Sequence, residues 1–140
     1  MLKKTVLHTV SFNELDPMNV VWHGNYVNFF ELARAALLND IGLSYTTMAE
    51  LGYVLPVVKL NCKYIRSARL GQTIAISAEI IEYRNSLNLK FVIRDHESGT
   101  ILTKGETMQM AVCTSTGESS IVLPDAFISK IEAHLQKAQQ

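Results

Sequence analysis

Cysteine and clustered metal ligands are scarce in this sequence. The two cysteines, Cys62 and Cys113, lie far apart and form no C-x-x-C pair. We therefore predict reduced thiols and a cytoplasmic protein. Both cysteines lie in strand-like alternation, which predicts buried structural thiols. His8, His96 and His134 have no metal-ligand spacing, so the sequence predicts no bound metal.

An excess of charge of either sign is also missing. The 13 basic and 13 acidic residues cancel, so no long-range attraction draws the protein to nucleic acid or to anionic lipid. The basic start, Met1–Lys4, precedes no long apolar run, and no stretch approaches the ~20 apolar residues that cross a bilayer. These absences predict no signal peptide, no membrane association and no nucleic-acid partner.

The sequence does contain enough apolar material for one core. Of its 140 residues, 48% are hydrophobic, and a chain of this length is expected to bury roughly two-thirds of its unfolded surface. No disulfide or metal is then needed for stability. The length predicts a single domain over residues 1–140.

The clearest element is a helix over 25–40. Large apolar residues recur at spacings of three and four and form one broad stripe, while Asn28, Glu31 and Arg34 lie off it. Gly42 is expected to end the helix. The aromatic content of the stripe predicts a helix at the centre of the core.

Shorter elements lie on either side of this helix. A first strand is predicted over Thr5–Phe12 and a short second helix over Tyr45–Leu51. A C-terminal helix, at about 125–138, follows Pro124.

Four segments with alternating apolar residues come after the second helix. They lie at 58–64, 73–80, 87–94 and 107–112, with Gly105 predicted as a bulge before the last. The connections are short, which predicts antiparallel neighbours. A sheet with one apolar face needs a cover, and only the long helix is large enough. The predicted fold class is α+β, a sheet wrapped around a helix.

The loop before the long helix holds the candidate site. It contains Asp16, His23 and Gly24 and ends where the helix begins. Helix N-termini present unpaired N–H groups and a partial positive charge. Beside a carboxylate, such an end can polarise a carbonyl and bind the oxyanion that forms on attack. A glycine lets the backbone come close to a ligand.

These residues also have ordinary structural interpretations. Asp16-Pro17 is common turn chemistry, and His23 or Asn25 can cap the helix. Trp22 can be a core or interface anchor. The residues alone leave both interpretations open.

The same loop and the helix after it resemble a known family. The resemblance lies in the runs Asp16-Pro17-x-x-Val20-Val21-Trp22-His23-Gly24-Asn25-Tyr26 and Phe29-Phe30-Glu31-x-Ala33-Arg34. They are similar to the signature of the 4-hydroxybenzoyl-CoA thioesterase family, over about Thr5 to Cys113. The resemblance implies the hotdog fold, a five-stranded antiparallel sheet around a long central helix. It also implies hydrolysis of a fatty or aromatic acyl-CoA to free acid and CoA.

The resemblance assigns roles to matching positions. Asp16 would be the catalytic carboxylate, acting as nucleophile or as general base on water. The backbone N–H of His23 would polarise the thioester carbonyl, and its side chain would assist. Trp22 and Gly24 would contact substrate. The family places nucleotide contacts around the turn Arg84-Asn85-Ser86, although exposed arginines at turns can equally be merely solvated.

The family further implies an acyl-CoA substrate, no cofactor, and a homodimer that often assembles into a tetramer. Because CoA carries phosphates, cationic turns are expected at the pocket mouth, and Arg66 and Arg69 flank a second such turn.

Two other functions are weighed against thioester hydrolysis. A hydratase or dehydratase of the same fold typically needs a histidine and an acid that face each other across a dimer, whereas Asp16 and His23 share one loop. A non-catalytic acyl-CoA binding module needs no carboxylate near an anionic ligand. Fold alone does not decide between these functions.

Overall fold

A computed structural model describes residues 1–138, and residues 139 and 140 lie outside this description. The strands are β1 (Lys3–Thr9), β2 (Tyr53–Val54), β3 (Val57–Tyr64), β4 (Thr73–Glu82), β5 (Leu87–Asp95), β6 (Ile101–Gln109) and β7 (Val112–Cys113). The helices are α1 (Asn25–Asp40), α2 (Tyr45–Glu50) and α3 (Asp125–Ala138), and a 3-10 turn covers Phe12–Glu14. None of these helices combines the length and apolar character that a membrane span requires.

The main sheet is antiparallel throughout, with strand order β1-β4-β5-β6-β3. Strands β2 and β7 pair separately in a small second sheet. Helix α1 packs across the inner face of the main sheet against β1 and β4. The predicted fold class is therefore confirmed: a five-stranded antiparallel sheet with a long helix against one face.

Alternating side chains build the inner face of the sheet. The β4 residues that face α1 are fully buried, and they are Ile74, Ile76, Ala78 and Ile80. Phe30 of α1 stacks on Phe91 of β5, with ring centroids 4.5 Å apart. Burying one large apolar side chain contributes about 1.5–3 kcal/mol. The packing of α1 thus holds its first turn at a fixed place relative to the sheet.

Arg34 lies in the core, although the apolar pattern places it off the buried stripe. Its side chain is 1% exposed, and its guanidinium pairs with Glu31 at 3.2 Å and donates to the amide oxygen of Gln109. The guanidinium carbon also lies 5.3 Å from the centre of the Phe91 ring. Periodicity missed this residue because a buried arginine becomes tolerable only when tertiary partners satisfy it.

The last long strand is earlier than predicted. It spans Ile101–Gln109 and not 107–112. Gly105 is no bulge, since it pairs in register with Cys62 and Phe91. The alternation was hidden because three of the residues on the inner face of this strand are polar, namely Thr103, Thr107 and Gln109.

The prediction that consecutive strands are neighbours was wrong for β3 and β4. Strand β3 pairs with β6 at one edge of the sheet, and β5 and β6 separate it from β4. The connecting segment 65–72 crosses under the start of α1, where the Ala68 N–H donates to the Tyr26 hydroxyl at 3.1 Å. An eight-residue connection can span a curled sheet, whereas the predicted pairing took account only of its last four residues, 69–72.

Two local predictions also need correction. Strand β1 ends at Thr9, and Phe12 is 79% exposed, because Ser11 and Glu14 form a capping box that starts the 3-10 turn. Both cysteines are only half-buried. Hydrogen bonding to Ser115 lowers the pKa of the Cys113 thiol to about 7.

The position of Gly105 yields a stability prediction. A Cβ built there would lie 2.6 Å from the buried Phe30 ring and 2.9 Å from the Asn61 carbonyl oxygen. We expect Gly105→Ala to lower the free energy of unfolding by about 1–3 kcal/mol through overpacking. This cost exceeds the ~0.5–1 kcal/mol that alanine gains by restricting the unfolded chain.

Urea denaturation of this variant, beside Lys104→Ala on the exposed face of the same strand, measures the effect. A Gly105→Ala protein that unfolds at the wild-type midpoint would contradict this account of the helix–sheet contact.

Candidate active site

A tight turn presents Asp16. The Asp16 N–H donates to the Val20 carbonyl at 2.8 Å, and the Asn19 N–H donates to the Asp16 carbonyl at 3.0 Å. Asn19 has φ 62, a left-handed conformation that asparagine tolerates better than most residues. Pro17 suits the second position of such a turn because its ring presets φ. Local sequence therefore fixes the backbone on both sides of the carboxylate.

The Asp16 carboxylate is half-buried at the edge of a cavity. Its Oδ1 accepts the Met18 N–H at 2.8 Å and lies 3.5 Å from the Val20 nitrogen. Within residues 1–138, no protein group donates to Oδ2. One oxygen is thus held by the turn, and the other is available to a ligand or a water molecule.

Glu14 ties this turn to the start of α1. Its carbonyl oxygen accepts two hydrogen bonds, one from the Trp22 N–H and one from the Asn25 side-chain amide, both at 2.9 Å. Its carboxylate oxygens lie 2.8 and 2.9 Å from His8 Nε2, and the His8 ring packs on Phe29. The chain before Asp16 is therefore anchored both to β1 and to the helix.

The turn that leads into α1 leaves backbone donors without partners. The Asn25 N–H closes a turn on the Trp22 carbonyl at 2.9 Å. Gly24 is the N-cap residue and supplies no side-chain cap. Among residues 1–138, no acceptor takes the N–H of His23 or of Gly24. Free donors at the positive end of a helix are able to stabilise a developing oxyanion.

Tyr64 fixes this turn from β3, and the sequence analysis did not single it out. Its hydroxyl donates to the His23 carbonyl at 2.9 Å, which orients the peptide between His23 and Gly24. Partial burial, followed by the neighbouring Cys62 and Tyr26, raises the pKa of Tyr64 to about 12. The hydroxyl therefore keeps its proton and remains a donor at neutral pH.

A cavity of about 200 Å³ joins these groups. Its lining includes Asp16, His23, Tyr26, Tyr64, Arg66 and Ser67. The segment 65–72 closes it from below, because the Val21 N–H donates to the Ala68 carbonyl at 2.9 Å. The two predicted catalytic residues, Asp16 and His23, thus line one cavity. No group of three or more residues able to hold a metal ion occurs in the described part of the chain.

The other residues predicted from the sequence lie elsewhere in a single chain. Trp22 and Gly24 do not line the cavity. The half-exposed Trp22 ring covers Gly24, where a Cβ would lie 2.4 Å from the indole. A side chain at position 24 would therefore collide with Trp22. The predicted contact of Gly24 with substrate stays a prediction.

The turn Arg84-Asn85-Ser86 is at the far end of β4 from the Asp16 cavity. Strand β4 has ten residues and is about 30 Å long. Arg84 pairs with Glu132 of α3 at 3.0 Å, and Ser86 is buried. The sequence-predicted nucleotide contacts therefore do not meet Asp16 within one chain.

Comparison with known proteins identifies the family. The model of the thioesterase-like superfamily matches residues 10–136. This chain belongs to that superfamily. Its fold is the hotdog fold of the structures it resembles.

Individual members of the superfamily show how similar the chain is. A Synechocystis sp. protein whose name describes an esterase is 32% identical, over 96% of this chain and 80% of its own length. The acyl-CoA thioesterase YbgC of Haemophilus influenzae is 29% identical, over 89% of this chain and 88% of that protein. A crystal structure of the DHNA-CoA thioesterase of Staphylococcus aureus has 28% identity and a TM-score of 0.84, covering 99% of this chain and 92% of that one.

The anchoring role of Glu14 predicts a pH-dependent stability. Burial raises the pKa of Glu14, but hydrogen bonds from Ser11 and His8 outweigh burial and leave the pKa below its ordinary value of 4.5. The stabilisation is therefore present above pH 4.5 and is lost as the pH falls through the lower folded-state pKa.

We expect Glu14→Gln to lower the free energy of unfolding by about 1–2 kcal/mol at pH 7. The difference from wild type should shrink by pH 3. Chemical denaturation at both pH values tests this, with Glu50→Gln on exposed α2 as the control. A difference that stays constant with pH would contradict the assignment.

Proposed function

We propose that this protein hydrolyses the thioester of a fatty or aromatic acyl-CoA, releasing the free acid and CoA. The observation that carries the proposal is that Asp16 and His23, whose backbone N–H is free, line the same cavity at the start of α1. Membership of the thioesterase-like superfamily supports it. So do the acyl-CoA thioesterase names of similar proteins.

In this proposal the thioester carbonyl oxygen accepts the His23 N–H. The carbonyl carbon then becomes more electrophilic, and the negative charge that forms on oxygen lies at the positive end of α1. The His23 imidazole, which also lines the cavity, assists by donating to the same oxygen or to the departing sulfur.

Asp16 supplies the attacking group by one of two routes. As general base, it removes a proton from water while the water oxygen bonds to the carbonyl carbon. As nucleophile, it forms a mixed anhydride that water then hydrolyses. In both routes the C–S bond breaks, the sulfur receives a proton, and one water molecule is consumed. The absence of a cofactor and the cytoplasmic location both stay predictions.

A second copy of the chain would complete the site. The cavity of about 200 Å³ is smaller than the ~300–1,000 Å³ usual for small-molecule sites. Strand β3 is an edge strand with exposed apolar side chains, namely Val57 (43% exposed), Val58 (53%), Leu60 (42%) and Tyr64 (49%). Ile65, which directly follows the strand, is 44% exposed. Exposed apolar edges favour pairing with another chain.

We therefore propose a homodimer paired along β3, which can assemble further into a tetramer. Antiparallel pairing reverses the partner sheet, so the end that carries the 84–86 turn would approach the Asp16 end of the first copy. This brings Arg84, Asn85 and Ser86 to the substrate from the second copy. Trp22, exposed near this edge, would then contact substrate at the shared interface.

The first prediction concerns catalysis. Asp16→Asn and Asp16→Ala should lower hydrolysis by about 100- to 10,000-fold, because each removes the attacking or proton-accepting carboxylate. Thiol release from short, long and aromatic acyl-CoAs measures the effect. Asp40→Asn, which alters an exposed carboxylate paired with Lys4, serves as control.

Near-native turnover by either Asp16 variant would rule out this mechanism. Addition of water to an enoyl thioester, without thiol release by the wild type, would favour the hydratase function instead. Tight acyl-CoA binding without either reaction would favour a binding module.

The second prediction concerns assembly. Leu60→Lys places a charge in the proposed interface and should convert the protein to a monomer with strongly reduced hydrolysis. Light scattering after size-exclusion chromatography measures the mass. Ile121→Lys, at an apolar residue that is 81% exposed and outside the main sheet, should leave the mass unchanged. A monomeric wild type, or an unaltered Leu60→Lys assembly, would contradict the proposal.

A further inference from the structure

A second groove adjoins the Asp16 cavity and has no role in the chemistry described above. Its volume is about 600 Å³, and Arg66 and Ser67 line both spaces. From this junction the groove continues along Arg69 and Gln72 to the turn between β5 and β6. A ligand whose reactive end lies beside Asp16 can therefore extend into the groove without leaving the protein surface.

Hydrogen bonds fix one wall of the groove. Gln72 accepts the Arg69 N–H through Oε1 at 3.0 Å and donates to Asp95 Oδ1 at 2.9 Å. Asp95 Oδ2 accepts the Ser98 N–H at 2.8 Å. This chain of contacts joins the 65–72 segment to the end of β5. The groove is thus pre-organised before any ligand binds.

The groove has an excess of positive charge. Its lining contains two arginines, Arg66 and Arg69, and one acidic residue, Asp95. Both oxygens of that carboxylate are already engaged by Gln72 and Ser98. No acidic side chain among residues 1–138 forms an ion pair with either arginine.

We propose that this groove binds the phosphate-bearing nucleotide end of CoA, with Arg66 and Arg69 of the same chain pairing with its phosphates. Arginine presents a planar fork of N–H donors that matches phosphate oxygens. The pantetheine arm would cross the junction at Arg66 and Ser67 and carry the thioester to Asp16. This inference rests on the proposed function, since it places the rest of the same substrate.

Truncated substrates test the groove separately from the chemistry. Arg66→Gln, Arg69→Gln and the double variant are assayed with an acyl-CoA and with the matching acyl-pantetheine, which lacks the nucleotide and its phosphates. Lys90→Gln, an exposed cation on β5 that lines neither space, is the charge-matched control. Calorimetric binding of free CoA to each protein gives a readout that needs no turnover.

For the acyl-CoA, we expect KM to rise about 3- to 10-fold in each single variant and more in the double variant, with kcat nearly unchanged in Arg69→Gln. Hydrolysis of acyl-pantetheine should be the same in the wild type, the Arg69→Gln variant and the Lys90→Gln control, because Arg69 lines only the groove. Adenosine 3′,5′-bisphosphate should inhibit the wild type and lose its effect in the double variant. The salt dependence of KM for acyl-CoA should also weaken.

Two results would overturn the inference. If the double variant keeps the wild-type KM and CoA affinity, the nucleotide binds elsewhere. If hydrolysis of acyl-pantetheine falls as much as that of acyl-CoA, the arginines act on the fold or the chemistry and not on phosphate. If the wild type hydrolyses neither substrate, the proposed function fails. In that case, CoA binding by the wild type but not by the double variant would still support the groove as the nucleotide site.

Discussion

The structure depends on one connection, the hydrogen bonds that join Glu14 to the first turn of α1. Through its carbonyl oxygen, Glu14 accepts the Trp22 N–H and the Asn25 side-chain amide. Because the aromatic face of α1 is buried against the sheet, the helix start cannot shift without a loss of core packing. The Asp16 turn is thereby held beside a rigid helix end. A carboxylate and unbonded N–H groups can then act on the same carbonyl.

Sequence patterns predicted the elements whose buried face carries apolar side chains at regular spacing. Helix α1 was predicted with both of its bounds, since large apolar residues mark every turn of its buried face. The bounds of β6 were missed because its inner face carries Thr103, Thr107 and Gln109. The place of β3 at the sheet edge was missed because pairing of distant strands is decided by long-range packing and not by the connecting segment.

The candidate site was predictable where its residues are contiguous. Asp16 and His23 belong to one loop, and both border the cavity. The cavity is also lined by Tyr64, Arg66 and Ser67, which belong to β3 and to the segment after it. These residues lie at the site because this segment passes under Tyr26, whose hydroxyl accepts the Ala68 N–H. The sequence does place two arginines in this segment, but its position beside the helix start follows from the sheet order. For Arg84, the family resemblance suggests a contact with the nucleotide of CoA. Within one chain, Arg84 instead pairs with Glu132, far from Asp16.

The most direct test of the account is a crystal structure of the Asp16→Asn protein with an unhydrolysed acyl-CoA. In this complex the thioester carbonyl oxygen should lie about 2.7–3.1 Å from the His23 backbone nitrogen. The substituted side chain at position 16 should face the carbonyl carbon. A thioester bound away from the start of α1, with position 16 turned to solvent, would contradict the central claim.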